Sequence, residues 1–100
     1  MILVFGGKFQ GKHDFAEKAF PGREKVEFEE LFGRWKGMGE ESSLLSGDMV
    51  LIADENSSGI VPSDPAEYNY RERYNALLLK AAARADEVYR VFCGIGIKIR

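Results

Sequence analysis

A chain of 100 residues with 45% hydrophobic and 30% charged side chains has room for one hydrophobic core, burying roughly 60–70% of its unfolded surface. Its formal net charge of −2 gives no general attraction to nucleic acid or anionic membrane, and no apolar run approaches the ~18 residues of a membrane span. The single cysteine, Cys93, excludes an internal disulfide and a cysteine-cluster zinc site, and points to a reducing, cytoplasmic setting.

Ile2-Leu3-Val4-Phe5 is a continuous apolar run ended by Gly6-Gly7, as suits a strand buried on both faces of a parallel sheet. From Lys12 to Phe20 the residues Phe15, Ala16, Ala19 and Phe20 share a helical face, and Pro21-Gly22 stops that helix. Phe28, Leu31, Phe32 and Trp35 recur at helical spacing. Val26 and Phe28 also alternate with Lys25, Glu27 and Glu29, so a short strand at the start of this segment competes with the helix. Gly37, Gly39, Ser42, Ser43, Ser46 and Gly47 mark loop or broken helix.

Met49 to Ala53 reads as a second buried strand with Asp54-Glu55 at its carboxyl end, followed by a loop at Asn56-Ser57-Ser58-Gly59. Asp64-Pro65-Ala66-Glu67 predicts a helix start, with Asp64 as N-cap and Glu67 completing a capping box. Tyr70, Tyr74, Leu77, Leu78 and Ala81 line one face of that helix, which reaches about Ala85. Val88 to Cys93 is a third strand, in which Cys93 reads as a small buried hydrophobe. Gly94 and Gly96 break it before Ile97 to Arg100, whose alternation suits an edge strand. These elements predict an α/β fold over residues 1–100: a small three-layer domain with a mostly parallel sheet of three or four strands and flanking helices. So small a sheet leaves edges exposed, and a homo-oligomer is expected.

The junction of the first strand and helix carries the chemistry. Gly6-Gly7-Lys8-Phe9-Gln10-Gly11-Lys12 has the spacing of a phosphate-binding P-loop, in which glycines let N–H groups curl around a phosphate and a lysine reaches its outer oxygens. The candidate phosphate-binding set is Gly6, Gly7, Lys8, Gly11, Lys12 and His13. The alternative is a glycine-rich turn with Lys12 merely solvated. At position 13 the motif calls for Ser or Thr, whose hydroxyl ligates Mg²⁺; His13 offers nitrogen, a poor ligand for that hard cation, though its protonated form suits a phosphate. Asp54 and Glu55 stand where open parallel sheets gather ligands, beyond the strand ends. One can hold Mg²⁺ or position an attacking hydroxyl; against this stands a solvated strand end.

The chain resembles the bifunctional adenosylcobinamide kinase/adenosylcobinamide-phosphate guanylyltransferase family. The resemblance lies in Met1 to Gly7 through Gly11-Lys12 with Phe15-Ala16-Glu17, in Leu51 to Glu55 with Gly59-Ile60-Val61-Pro62, and in Ala85 to Tyr89 with Gly94 to Ile99. It implies a P-loop NTPase-like fold, ATP or GTP with Mg²⁺ as cofactor, a corrinoid as possible partner and a place in cobalamin biosynthesis. Lys12 would neutralise the outer phosphates, Glu55 or Asp54 would position acceptor or metal, and Lys12 and Glu55 form the candidate catalytic pair.

Several features depart from the family pattern. Members are nearly twice as long, and the segment missing between the first helix and Met49 carries their guanylylated histidine and a strand bearing an acidic residue. The sole histidine here is His13. Ala76, Leu78 and Leu79 stand where the family has a polar Arg-x-Asn-Gln cluster, although Arg71 and Glu72 match; this face is expected to be covered by packing or by a partner subunit. Guanylyl transfer is therefore expected to be absent. Three functions stay open: a nucleotide-binding protein that is at most a kinase-like phosphotransferase, a non-catalytic accessory subunit, and an interaction domain with no nucleotide.

Overall fold

The computed structural model describes residues 1–35, 45, 47–54 and 65–100. Among them the chain forms β1 (Ile2–Gly6), α1 (Lys12–Ala19), β2 (Lys25–Glu27), α2 (Phe28–Arg34), β3 (Val50–Asp54), α3 (Pro65–Arg84), β4 (Glu87–Phe92) and β5 (Ile95–Lys98). The sheet runs β2-β3-β1-β4-β5; every pairing is parallel except β4 with β5. The described sheet has five strands, against the three or four expected.

The extra strand comes from the segment with two competing patterns, and both are realised. Lys25–Glu27 pairs with β3, and the chain turns into α2 at Phe28. Val26 packs against the core from the strand, while Phe28 and Leu31 bury their side chains from the helix. Alternation rules the first three residues and helical spacing the rest.

The sheet is apolar on both faces, as its continuous runs require. On one face α1 lays Phe15 and Ala16, with Phe20 at its C-cap, over Ile2, Val4, Val50, Ile52 and Val91. On the other, α2 and α3 contribute Phe28, Leu31, Tyr74, Leu77 and Ala81, which pack with Leu3, Leu51, Ala53 and Val88. Burying one large side chain of this kind is worth about 1.5–3 kcal/mol. The two clusters together hold α1 against one face and α3 against the other.

Two expectations are corrected at the C-terminal hairpin. Cys93 is exposed rather than buried, because it has left the sheet for a turn at φ 51. With Gly94 at φ 77 it forms a two-residue hairpin of the kind whose backbone twist matches its flanking strands. The edge strand therefore begins at Ile95 rather than Ile97, and Gly96 lies inside it opposite Val91.

On α3 the predicted face divides. Tyr74, Leu77 and Ala81 are buried, Leu78 and Tyr70 are partly covered, and Leu79 remains largely exposed. Of the three apolar replacements Ala76, Leu78 and Leu79, Leu78 is packed against the core, whereas Ala76 and Leu79 are exposed on this chain. The readings placed on Glu55, on 56–62, on Asp64 as N-cap and on Gly37, Gly39, Ser42, Ser43 and Ser46 as loop or broken helix lie outside the described residues.

Candidate functional site

β1 sits between β3 and β4. After β1 the chain crosses to β2 on one side; after β3 it crosses back over β1 to β4. The two crossovers therefore run to opposite sides of β1, the arrangement that places a ligand crevice beyond the carboxyl ends of such strands. Register sets Gly6, the last residue of β1, beside Asp54, the last of β3. This is why a lysine six residues after Gly6 meets an aspartate 42 residues further along the chain.

Lys12 is buried, with 5% of its surface exposed, and is the one buried charged residue among those described. Its Nζ lies 2.7 Å from Asp54 Oδ1 and donates to the Gly7 carbonyl oxygen at 2.8 Å. Removing an ammonium from water costs several kcal/mol, and these two oxygens are what offset it. The side chain is thus folded back under its own loop.

The glycines at each end of the loop have separate reasons. A Cβ on Gly6 would stand 2.5 Å from the Val91 carbonyl oxygen, so any side chain there would collide with β4. Gly11, the N-cap of α1, has φ 84 and no side chain with which to cap the helix. The leading N–H groups of α1 therefore meet no side-chain cap, and the positive end of the helix dipole is left for an anion.

Lys8, Phe9, Gly11, Lys12, His13, Asp14 and Asp54 line a cavity of ≈ 380 Å³. Two lysines and two aspartates leave its lining electrically balanced. A bare polyphosphate gains little there; a polyphosphate that arrives with a divalent cation can engage both signs. His13 is turned toward Glu27, with which its Nε2 is paired. Glu27 ends β2, so a parallel strand bearing a terminal carboxylate does lie beside this loop, a residue the sequence reading did not single out.

By its spacing Tyr74 belongs to the apolar face of α3. Its hydroxyl donates to the Asp54 carbonyl oxygen at 3.0 Å and accepts from the Asp54 N–H at 3.1 Å. Burial pushes the phenol well above its usual range. These two bonds hold the Asp54 backbone at both of its polar groups. The spacing of Tyr74 on α3 announced burial, but nothing local announced a partner twenty residues upstream.

The expected site residues thus come together in part. Gly6, Gly7, Lys8, Gly11, Lys12 and His13 form the loop, and Asp54 meets Lys12; Glu55 lies outside the described residues. Mg²⁺ commonly binds through one or two carboxylates, water and substrate phosphates. No cluster of three or more metal-binding His, Cys, Asp or Glu side chains occurs among the described residues. The Asp54 carboxylate, which lines the cavity, is a ligand of the kind Mg²⁺ takes.

The fold and this loop define a small P-loop NTPase-like α/β domain. The family model described as "Cobinamide kinase / cobinamide phosphate guanyltransferase" (CobU) matches residues 25–99, and the chain belongs to that family. It is also 38% identical over 52 residues to the bifunctional adenosylcobalamin biosynthesis protein CobU of Salmonella typhimurium (strain LT2). That alignment covers 52% of this chain and 29% of the relative. The family links the chain to cobalamin biosynthesis. The matched span runs from β2 through β5, so the Gly6–Lys12 loop stands on its own geometry.

Proposed function

We propose that this chain is a cobinamide-kinase-like protein that binds a nucleoside triphosphate, ATP or GTP, as its magnesium complex in the Gly6–Lys12 loop. One observation carries this: a buried lysine held 2.7 Å from an aspartate where β1 and β3 end side by side. When the nucleotide enters, Lys12 exchanges the Asp54 carboxylate for phosphate oxygens, and Asp54 is released to hold the cation or its water. The leading N–H groups of α1 take further phosphate oxygens. A corrinoid acceptor would approach over Lys8 and Phe9, the latter wholly exposed at the lip of the cavity.

Phosphoryl transfer needs positioning and metal-assisted neutralisation of charge. Here the hydroxyl that usually anchors the metal is replaced by His13, and His13 faces Glu27. That observation favours a second reading, an accessory subunit that binds nucleotide without turning it over. Guanylyl transfer through histidine forms no part of either reading, since His13 is the histidine of this chain and is already engaged.

Self-association and the cytoplasmic setting belong to the same proposal. Phe92 on β4 and Ile95, Ile97 and Ile99 on and just after β5 are each more than half exposed, and sedimentation at rising concentration tests whether they join copies. No helix among the described residues is long and apolar enough to cross a membrane.

Isothermal titration of ATP and GTP with Mg²⁺ tests the site. Saturable binding that Lys12→Ala abolishes is expected. A wild-type protein that shows no binding at millimolar nucleotide overturns the proposal.

A further inference from the structure

Gln10 ties the phosphate loop to the turn between β4 and β5. Its side-chain Oε1 accepts from the Cys93 N–H at 2.7 Å, and its main-chain oxygen accepts from the Gly94 N–H, also at 2.7 Å. Two consecutive N–H groups of a turn are thus taken by one residue of a loop more than eighty positions away. Gly11 closes the same contact: a Cβ there would come within 3.1 Å of the Gly94 Cα. The turn needs this support, because Cys93 holds a left-handed φ of 51 that a side chain disfavours.

The direction of these bonds matters for an anion. A loop that binds phosphate must offer N–H groups and turn its carbonyl oxygens away, since a carbonyl dipole aimed at a phosphate repels it. Both oxygens of Gln10 are committed to the turn, while Phe9 and Gly11 on either side of it line the cavity. Nothing in the strand-loop-helix motif itself calls for glutamine at this position. The contact depends on β5 folding back against β4 to form the turn.

We infer that Gln10 is a positioning residue: by fastening the loop to the Cys93-Gly94 turn it keeps the loop in its phosphate-accepting form, and the C-terminal hairpin is therefore part of the site. This rests on the phosphate-binding reading above. Without the fastening, the Gln10 peptide is free to rotate and its oxygen competes with the ligand for the N–H groups of the loop.

Titration of inorganic tripolyphosphate with Mg²⁺ into wild type, Lys12→Ala, Gln10→Met and Gln10→Glu, with amide hydrogen exchange on the same proteins, tests the inference. Gln10→Met keeps the length and loses the acceptor; it should weaken binding by about tenfold, the scale of one hydrogen bond, and speed exchange at Cys93. Gln10→Glu keeps an acceptor oxygen and should recover the Cys93 protection and part of the affinity, which a general loss of structure would not allow. In wild type, saturation with tripolyphosphate should slow exchange at Cys93 and Gly94, a readout that needs no variant to fold. If wild type binds, Lys12→Ala does not, and Gln10→Met binds as wild type does, the role of Gln10 is overturned and the phosphate site stands. Unchanged exchange at the turn on saturation overturns it equally. Wild type that fails to bind removes both.

Discussion

Lys12, Asp54 and Tyr74 form a chain of contacts in which each residue fixes the next. The Tyr74 hydroxyl holds both backbone groups of Asp54, and the Asp54 carboxylate holds the Lys12 ammonium. Tyr74→Phe removes only the hydroxyl and leaves an N–H and a carbonyl of Asp54 without that partner, at a cost of about 1–3 kcal/mol. Urea unfolding at neutral pH should show the loss. The same variant has a signature in alkali. Because burial raises the Tyr74 phenol above the usual tyrosine value of 10.0, the folded state keeps its proton where the unfolded chain releases it. Its contribution to stability is therefore full below pH 10 and declines as pH rises above that value. Tyr74→Phe should flatten this decline; equal slopes in both proteins would show that the phenol is not held as described. Lys12 and Asp54 were legible because residue type, spacing and strand end each pointed to them. The role of Tyr74 was not, since it depends on how closely α3 approaches β3. Cys93 was misread because its apolar neighbours on β4 suggested burial, while its own position is in a turn.

Among the elements, β1, β3 and α3 declared themselves, because long apolar runs and a strong helix start leave few alternatives. β2 did not. It has three residues, and Lys25–Glu27 alternate as a strand while Phe28 to Trp35 repeat as a helix. Pairing with β3 decides between the patterns, and no local signal carries that pairing. The start of β5 was missed for a similar reason: Cys93-Gly94 lacks the Asn-Gly signature that would have marked a two-residue hairpin. The junction of β1 with its loop makes a test of the element contacts. In Gly6→Ala the new methyl meets a backbone oxygen of β4, which cannot turn aside as a side chain can. A loss of about 1–3 kcal/mol is expected, read as a lower urea midpoint with unchanged slope. An unaltered midpoint would mean that β4 does not sit against β1 at Val91.

Across the whole molecule, the order β2-β3-β1-β4-β5 creates the candidate site, because it sets the ends of β1 and β3 side by side. The α/β class was legible from the alternation of runs. The strand order was not, since it follows from which edge each crossover reaches. The family match over residues 25–99 covers most of the elements that surround the loop. The central claim is that the Lys12–Asp54 pair is a nucleotide site in its resting state, to be opened by a triphosphate with its cation. Isothermal titration of ATP with and without Mg²⁺ into wild type and Asp54→Asn tests this most directly. Without the carboxylate, Lys12 has no charge to relinquish, so Mg²⁺-free ATP should bind Asp54→Asn more tightly than wild type, and the gain from Mg²⁺ seen in wild type should disappear. Equal affinities in the two proteins, or no binding of either form to wild type at millimolar concentration, would contradict it.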